Sequence, residues 1–359
     1  MQQSFILTGG GTGGHIFPAL AAGRVLLDRG HKVLFIGTRT GMEARLVPEA
    51  GFDIEFIRSG ALNRVGIRQQ MRTAADLAPG IAAAWKLLRK FRPRAVFSMG
   101  GYVAGPVMLA ALLAHIPLIV MEPNAVPGLA NRRVAGRVFR ALVAFPETAA
   151  WFPKPAVEVT GLPVRAEFFA LQPKQSGPFT VLITGGSRGA RTLNRASRES
   201  WPLFRKTATP VRIVHQSGAQ EQEALAQEFA SAGMDGAVVP FIANMAEAFE
   251  QADLVIGRAG AGGVSEIAAA GMPSVLVPFP FAADDHQRRN AEALTRVQAA
   301  RMVLDEEMNG ERLFAEVEEL RRDPGTLNMM RERVRQFAHP GAADRAADLL
   351  EQAGRTSKP

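Results

Sequence analysis

The chain has 359 residues, of which 47% are hydrophobic and 21% charged, a composition typical of a folded globular protein. It has no cysteine, which excludes disulfides, thiolate metal sites and a cysteine nucleophile, and its start, Met1–Ser4, lacks the basic residues of a signal peptide, so we expect a cytoplasmic protein. The net charge is +8, but one tyrosine, no aromatic-rich basic strand and no zinc-finger spacing argue against a nucleic-acid partner.

Two glycine-rich turns follow apolar runs about half a chain apart. TGGGTGGH at 8–15 comes after Phe5–Leu7, and TGGSRGAR at 184–191 comes after Val181–Ile183. A glycine turn that opens a helix leaves free backbone N–H groups at the positive end of the helix dipole, where a phosphate or diphosphate binds well. The pair predicts two Rossmann-like domains with the functional residues in the cleft between them.

The first turn also satisfies the dinucleotide-binding pattern Gly9-x-Gly11-x-x-Gly14. The acidic residue that would hold the ribose is absent, because the predicted strand Val33–Ile36 continues into Gly37-Thr38-Arg39. Arg39 could instead hold an NADP 2′-phosphate, which leaves an NADP-dependent oxidoreductase as a remote alternative. Neither turn continues into Gly-Lys-Ser/Thr, which excludes the phosphate-binding loop of NTPases.

A basic, amphipathic stretch follows. Residues 1–163 hold 19 Lys and Arg against 9 Asp and Glu, a net charge of +10, whereas the remainder carries −2. Within them, an apolar stripe at helical spacing, Leu77, Ile81, Trp85 and Leu88, is flanked by the cations Arg64, Arg68, Arg72, Lys86, Arg89, Lys90, Arg92 and Arg94. Two interpretations stay open: the stripe faces the core, or it contacts an anionic membrane surface.

The run Val103–Met121 has no charged residue and is long enough to suggest a membrane span. Pro106, His115 and Pro117 interrupt it. We therefore predict a short buried helix from about Pro106 to Ala114, followed by a buried strand at Leu118–Val120.

Apolar runs of strand length alternate with helical patterns in both halves, which predicts an α/β fold with a doubly wound parallel sheet in each domain. The further predicted strands are Ala95–Ser98, Ala141–Val143, Arg212–His215, Val238–Phe241, Leu254–Ile256 and Ser274–Val277. Glycines and prolines interrupt both periodicities around 160–175. We predict domains at 1–163 and 164–340, with a C-terminal helix within 341–359 that packs back onto the first domain.

The segment 254–291 carries the most specific motif of the second half, LVIGRAGAGGVSEIAAAGMPSVLVPFPFAADDHQRRNA. A glycine turn follows the strand, and Ser265-Glu266 are predicted to open a helix that Gly271 ends. Beside a turn that binds diphosphate, Glu266 can accept hydrogen bonds from ribose hydroxyls; otherwise it only complements the helix dipole. We expect Asp284-Asp285-His286 to be solvated and predict no metal site.

This motif resembles the nucleotide-sugar site of GT-B glycosyltransferases. Five more segments extend the resemblance over nearly the whole chain and make it similar to the MurG family: TGGGTGGHIFPALA at 8–21, SMGGYVAGP at 98–106, EPNAVPGLANR at 122–132, GLPVR at 161–165 and GGSRGARTLN at 185–194. The resemblance implies the GT-B fold and an inverting transferase without a cofactor. Such an enzyme moves GlcNAc from UDP-GlcNAc to the C4 hydroxyl of the MurNAc-pentapeptide of undecaprenyl-pyrophosphoryl lipid I, giving lipid II in peptidoglycan synthesis.

The resemblance also implies where the protein acts. Because lipid I stays in the membrane, we expect a peripheral protein on the cytoplasmic face of the plasma membrane, with an anionic membrane surface and possible other cell-wall synthesis proteins as partners. A UDP-GlcNAc 2-epimerase of the same fold remains the alternative, although the loops at 98–106 and 122–132 favour the transferase.

Site residues are carried over only where this sequence matches the family. The resemblance implies that Ile242 faces uracil through its backbone, that Glu266 holds the ribose and that Ser187 and the turn 261–265 meet the diphosphate. The full expected donor set is Thr12, Gly13, Gly14, Asn124, Arg165, Ser187, Ile242, Arg258, Ala261, Gly262, Gly263, Val264, Ser265, Glu266 and Gln287. The expected acceptor set is Gly13, Gly14, Gly100, Gly101 and Tyr102.

The chemistry of the transfer needs a base and a stabilised leaving group. A sugar hydroxyl is a poor nucleophile at neutral pH, and departing UDP gains from hydrogen-bond donors around its phosphates. His15 is the histidine in a glycine turn and suits the base role by its ordinary pKa, with Glu122 as a competitor and a turn-shaping role for His15 as the alternative. The chain has no Asp-x-Asp motif, which fits stabilisation of the leaving group by backbone amides and arginine.

Three departures from the family pattern affect these expectations. Gly262-Gly263 replaces a bulkier pair that usually ends in threonine, which puts one hydroxyl contact to the diphosphate in doubt. Ala259 stands where serine is common. Met121 and Pro123 flank Glu122 where relatives often carry His and Gln, which stiffens the loop that holds Asn124.

Overall fold

The computed structural model describes residues 2–10, 13–59, 67–186, 189–207 and 209–356, with backbone alone for 67–76 and Tyr102. The chain forms two compact units. The first comprises Met1–Arg165 and His339–Pro359, and the second comprises Ala166–Ala338. The boundaries predicted from the sequence are 163/164 and 340/341.

Seven parallel strands form the sheet of the first unit. They are β1 (Ser4–Thr8), β2 (Lys32–Gly37), β3 (Asp53–Phe56), β4 (Ala95–Ser98), β5 (Leu118–Glu122), β6 (Arg140–Val143) and β7 (Val157–Val159). Their order is β3-β2-β1-β4-β5-β6-β7, which places the turn after β1 where the strand order reverses. Phe5, Ile6 and Leu7 of β1 are fully buried, as expected for a central strand covered on both faces.

Helices connect these strands. They are α1 (Gly13–Asp28), α2 (Glu43–Glu49), α3 (Ile67–Phe91), α4 (Gly101–Leu113) and α5 (Leu129–Val134), with short 3₁₀ turns at Ala135–Arg137 and Pro146–Trp151. The chain returns to the first unit as α13 (Ala342–Thr356), which packs against α1 and β4. Arg29, the residue after α1, forms ion pairs with Asp344, Asp348 and Glu351 of α13, at N–O distances of 3.2, 2.6 and 3.2 Å.

The second unit repeats the plan with six parallel strands. They are β8 (Phe179–Thr184), β9 (Val211–Gln216), β10 (Asp235–Val239), β11 (Leu254–Gly257), β12 (Ser274–Leu276) and β13 (Arg301–Met302). Their order is β10-β9-β8-β11-β12-β13, so strand order reverses between β8 and β11. Turns after these two strands therefore face the crevice in which doubly wound sheets bind ligands.

The helices of the second unit cover this sheet. They are α6 (Arg191–Phe204), α7 (Gln222–Ser231), α8 (Met245–Glu250), α9 (Ala261–Ala270), α10 (His286–Thr295), α11 (Gly310–Arg322) and α12 (Pro324–Val334), with 3₁₀ turns at Ala166–Ala170, Ala283–Asp285, Asp305–Glu307 and Arg335–Phe337. Ile183, Ile213 and Ile256 are fully buried in the core that these elements share.

The structure confirms the two predicted parallel sheets and corrects several elements. The edge strands β3, β7 and β13 were not predicted, and β10 ends at Val239 whereas the prediction ran from Val238 to Phe241. The uncharged run at 103–121 is divided between α4, which begins at Gly101, and β5. Within the described ranges, no helix is both long and apolar enough to cross a membrane.

Candidate functional sites

Gly9 and Gly10, the first residues after β1, are tightly packed against neighbouring side chains. A Cβ at Gly9 would lie 2.7 Å from Cβ of Met99, and one at Gly10 would lie 2.7 Å from the carboxyl group of Glu43. Gly11 and the expected donor residue Thr12 fall outside the described residues. Helix α1 then begins at Gly13, which puts Gly14 and the half-buried His15 in its first turn. The structure thus gives the predicted arrangement of strand, glycine turn and helix start.

Glu43 is a buried carboxyl group beside this turn, and it was not among the predicted site residues. Its side chain is 1% exposed, and its Oε1 accepts hydrogen bonds from the backbone N–H of Thr38, at 3.0 Å, and from the Thr38 hydroxyl, at 2.8 Å. A Cβ at Gly41 would lie 2.1 Å from Oε2 of Glu43. Glycine at positions 10 and 41 therefore makes room for this carboxyl group. A lone glutamate near a glycine turn carries no sequence signal for such a role.

The second loop of the first unit lies against the first turn. Gly100 and Gly101 have φ of +76° and +78°, in the left-handed region that favours glycine. Gly100 N–H donates to Oγ of Ser98 at 3.1 Å, and a Cβ at Gly101 would lie 3.1 Å from the carbonyl oxygen of Gly10. The expected acceptor residues Gly13, Gly14, Gly100 and Gly101 therefore lie at the starts of α1 and α4, which follow β1 and β4. The Tyr102 side chain falls outside the described atoms.

Glu122, the last residue of β5, accepts hydrogen bonds from several residues of the loop that follows this strand. Its side chain is 2% exposed. Oε1 accepts from the backbone N–H and the side-chain amide of Asn124, at 3.1 and 3.2 Å, and Oε2 accepts from Gly128 N–H at 3.0 Å and from Nδ2 of Asn131 at 2.9 Å. Burial raises the pKa of this carboxyl group, while the four N–H donors act in the opposite direction. Both carboxylate oxygens are thus engaged in shaping the loop that carries Asn124.

The stripe on α3 divides between core and surface. Leu88 is 2% exposed and belongs to the core of the first unit, so it is not available as a surface contact. Ile81 and Trp85 are half-buried and pack against the same core, whereas Leu77 is 37% exposed. Lys86, Arg89 and Lys90 are exposed on the same helix; the side chains of the expected cations Arg68 and Arg72 are not described, and Arg64 falls outside the described residues. The core-facing interpretation therefore accounts for most of the stripe.

In the second unit, Gln216 joins the second glycine turn to the loop after β10. It lies at the end of β9 and is 1% exposed. Its Nε2 donates to the Gly186 carbonyl at 2.7 Å, and its Oε1 accepts from Ile242 N–H at 2.8 Å. Two expected donor positions, the glycine turn and Ile242, are therefore held together by one side chain that was not predicted from the sequence. Ser187 falls outside the described residues.

The loop after β11 reaches the same turn through Arg258. Arg258 N–H donates to the Thr184 carbonyl at 3.3 Å. Its guanidinium donates to the carbonyls of Val277 and Pro278 and to Oδ1 of Asp305, at 3.1, 3.2 and 2.5 Å, and it lies 5.5 Å from the ring centroid of Phe279. Arg258 is thus mostly buried and neutralised by Asp305, a partner that carried no sequence signal.

Helix α9 begins earlier than predicted. It starts at Ala261, after Gly260, so Ser265 and Glu266 lie in its second turn and do not open it. Gly262 and Gly263, which the prediction assigned to the glycine turn, are part of the helix. Gly271 ends the helix with φ of +63°, as predicted. The expected residues Ala261, Gly262, Gly263 and Val264 therefore form the first turn. Val264 N–H donates to the Gly260 carbonyl at 3.0 Å, and the N–H groups of the three residues before it are the ones available to an anion.

Gln287 lies beside this helix start. Its Oε1 accepts from Phe279 N–H at 3.0 Å, and a Cβ at Gly260 would lie 4.0 Å from its Nε2. Asn290, which lies on α10 with Gln287, donates to the Ala259 carbonyl at 3.0 Å and so connects α10 to the turn between β11 and α9. The structure therefore brings together the expected donor residues Arg258, Gln287 and the start of α9. Asn124 and Arg165 belong to the first unit.

Asp284 and Asp285 both adopt left-handed backbone conformations, with φ of +51° and +54°. His286 Nδ1 lies 2.7 Å from the Ala283 carbonyl. Among the described residues, no group of three or more His, Cys, Asp or Glu side chains is arranged to hold a metal ion.

Comparisons with known proteins agree with this two-unit arrangement. The glycosyltransferase family 28 N-terminal domain matches residues 5–143, and the family 28 C-terminal domain matches residues 180–346. A relative from Solibacter usitatus, named UDP-N-acetylglucosamine--N-acetylmuramyl-(pentapeptide) pyrophosphoryl-undecaprenol N-acetylglucosamine transferase, is 56% identical over 353 residues, or 98% of this chain and 96% of that protein. The chain belongs to glycosyltransferase family 28.

Solved structures place this family 28 chain among GT-B proteins, which confirms the predicted fold class. The crystal structure of Acinetobacter baumannii MurG is 34% identical and matches with a TM-score of 0.80, covering 98% of this chain and 99% of that one. A UDP-N-acetylglucosamine 2-epimerase structure matches with a TM-score of 0.67 over 100% of this chain and 98% of that one, but at 13% identity. The epimerase therefore shares the fold alone.

Proposed function

We propose that the chain transfers GlcNAc from UDP-GlcNAc to the C4 hydroxyl of the MurNAc-pentapeptide of lipid I, with inversion, and so makes lipid II. The observation that carries this proposal is the 56% identity to the Solibacter usitatus transferase across 98% of the chain, which includes the loops of both units. The fold alone would not distinguish this transferase from a UDP-GlcNAc 2-epimerase, because proteins of one fold can have many functions.

The donor site is proposed in the second unit. Strand order reverses between β8 and β11, and the turns after both strands open helices with free N–H groups. UDP would place its diphosphate at these N–H groups, its ribose on Glu266 and its uracil at Ile242, with the sugar toward Gln287. Backbone donors at fixed positions stabilise the charge that develops on departing UDP.

The acceptor and the base are proposed in the first unit. His15 lies in the first turn of α1 and is half-buried, and Gly10, which precedes this helix, packs against Gly101. A neutral imidazole there can take the C4 hydroxyl proton as the bond to the donor sugar forms. Glu122 is the weaker candidate, because its two oxygens already accept four N–H bonds. We assign it the role of ordering the Asn124 loop.

Peripheral association with the inner face of the plasma membrane is proposed for the first unit. The substrate is lipid-linked, and α3 presents exposed Leu77 with Lys86, Arg89 and Lys90. Leu113 and Trp151 of the same unit are 60% and 48% exposed. Exposed apolar residues with nearby cations suit an anionic lipid surface.

A transfer assay with labelled UDP-GlcNAc and a lipid I analogue tests the proposal. Label in a lipid II product supports it. UDP-ManNAc formed without an acceptor would instead identify a 2-epimerase, and binding of NADPH without binding of UDP-GlcNAc would identify an oxidoreductase. Tight UDP-GlcNAc binding with neither product would leave a binding protein, which contradicts the proposal.

A further inference from the structure

We infer that Gln216 is a positioning residue that couples recognition of the nucleobase to binding of the diphosphate; this inference rests on the proposed donor site. Gln216 ends β9, the strand between β8 and β10. Its register partners are Thr184 on β8 and Val239 on β10. The side chain therefore lies between the two turns that continue from the neighbouring strands.

The amide of Gln216 makes one short bond to each turn, and Nε2 also donates to the Thr184 hydroxyl at 3.5 Å. Nε2 donates to the Gly186 carbonyl at 2.7 Å, and Oε1 accepts from Ile242 N–H at 2.8 Å. Of the uncharged side chains long enough to span such a gap, glutamine carries both a donor and an acceptor at its end. Because the side chain is 1% exposed, water does not compete strongly for either bond, and losing one would leave a buried polar group unsatisfied.

The bond to Ile242 fixes the orientation of a peptide plane. The peptide between Phe241 and Ile242 is trans, so its N–H and its carbonyl point in opposite directions. Because this N–H is held on Gln216, the peptide offers a ligand only its acceptor, the Phe241 carbonyl, on the opposite side. Uracil presents N3–H as a donor and O4 as an acceptor, whereas cytosine presents the reverse. A fixed peptide plane can therefore discriminate between them, since a mismatched polar edge is left unpaired.

The bond to Gly186 fixes the other turn. Gly186 has φ of +82°, and its carbonyl also accepts from Gly189 N–H at 2.9 Å. This turn leads to α6, where the diphosphate is proposed to bind. One side chain thus sets the distance between the base and diphosphate subsites.

Two variants separate the two bonds. Gln216→Met keeps the length and loses both bonds, so we expect about tenfold weaker UDP binding, the scale of one or two lost buried hydrogen bonds, and an equal loss in the UDP-to-CDP affinity ratio. Gln216→Glu, measured at pH 8, still accepts from Ile242 N–H but cannot donate to Gly186. It should keep the base preference while weakening UDP relative to uridine.

Calorimetric titration with UDP, CDP and uridine gives these affinity ratios. In steady-state kinetics, the Gln216 variants should show a raised KM for UDP-GlcNAc, with kcat and the KM for the acceptor preserved. Gln222→Met is the matched control, because Gln222 donates to the β10 carbonyl of Val238 at 3.3 Å and touches neither turn. Weaker UDP binding with an unchanged UDP-to-CDP ratio in Gln216→Met would show a merely structural role and overturn the inference. So would loss of the ratio in Gln216→Glu, a test that holds even if Gln216→Met does not fold. Failure of the wild-type chain to bind UDP would instead overturn the proposed function.

Discussion

Arg258 and Asp305 form an ion pair of 2.5 Å in which the side chains are only 12% and 21% exposed. Asp305 also accepts from the Thr192 hydroxyl of α6 at 2.9 Å, so the pair joins the loop after β11 to the helix that follows the second glycine turn. A buried arginine without its carboxylate is costly, and an anionic ligand near it would replace the lost partner. The charge of Arg258 is therefore balanced by Asp305 within the second unit.

Asp305→Asn should lower the free energy of unfolding by about 1–3 kcal/mol, because it leaves Arg258 partly buried without a counter-charge. UDP should then bind the variant more tightly and raise its melting temperature by more than it raises that of the wild type. Thermal unfolding with and without UDP measures both effects. Glu306→Gln, an exposed neighbour, is the control. A smaller UDP-induced rise in the variant would show that Arg258 does not face the diphosphate.

Glu266→Ala should weaken UDP binding by about 1.5–3 kcal/mol, the scale of a hydrogen bond to a charged group. Glu266 lies in the second turn of α9, one turn later than predicted, so the loss of affinity should reflect the ribose contact more than the helix dipole. Calorimetry with UDP and with 2′-deoxy-UDP separates the ribose contact from the helix-dipole effect, because the affinity for the deoxy ligand should fall less when Glu266 is replaced. Glu250→Ala, at an exposed helix end, controls for the charge change. UDP affinity within twofold of wild type would rule out the ribose contact.

His15→Ala should lower turnover by about 10²–10⁴, as expected for a lost general base, without changing UDP affinity. Glu122→Gln places an amide donor where N–H groups already meet, so it should lower stability by about 1–3 kcal/mol. If His15 is the base, the acidic limb of the kcat/KM profile persists in Glu122→Gln and is absent in His15→Ala. Near-normal turnover of His15→Ala would transfer the base role to another residue.

Much of this site follows from the sequence because its signals are local. Glycine turns after apolar runs fix where β1 and β8 end and where α1 and α6 begin. The start of α9 was wrong by about one turn, because paired glycines ordinarily disfavour a helix. Strands β3 and β7 were missed because edge strands such as Asp53–Phe56 are only partly apolar. Gln216 and Asp305 are single polar residues, and only the pairing of distant segments reveals their partners, whereas Glu43 bonds to nearby Thr38 but shows no local pattern.

His215 should make stability depend on pH. It is fully buried on β9, its Nε2 lies 3.1 Å from Oδ1 of Asn194, and burial lowers its pKa to about 4. The unfolded chain takes up a proton near its ordinary pKa of about 6.5, whereas the folded chain does not until about pH 4, so stability is lost as pH falls through this window.

Between pH 7.5 and pH 5, His215 should account for about 2 kcal/mol of the lost stability. Urea unfolding at the two pH values measures it. In His215→Gln the difference should shrink by that amount. His339, whose pKa is also lowered by burial, contributes with the same sign, so His339→Gln is the comparison. An unchanged difference in His215→Gln would contradict the buried neutral imidazole.

Membrane binding should depend on the cations of α3 more than on its apolar stripe. Ile81 and Trp85 pack against the core, so replacing them would disturb the fold, whereas Lys86, Arg89 and Lys90 are exposed. Reversing these three charges should abolish binding to anionic vesicles, because each cation near such a surface contributes about 1 kcal/mol, and binding by the wild type should weaken with salt.

Turnover of a long-chain acceptor should fall in the same variant, while turnover of a short soluble acceptor should be preserved. Reversal of Arg205, Lys206 and Arg212 in the second unit changes net charge equally and is the control. Vesicle co-sedimentation measures binding. Equal loss in both triple variants would indicate a response to net charge alone, and no loss in either would place the membrane contact on another surface.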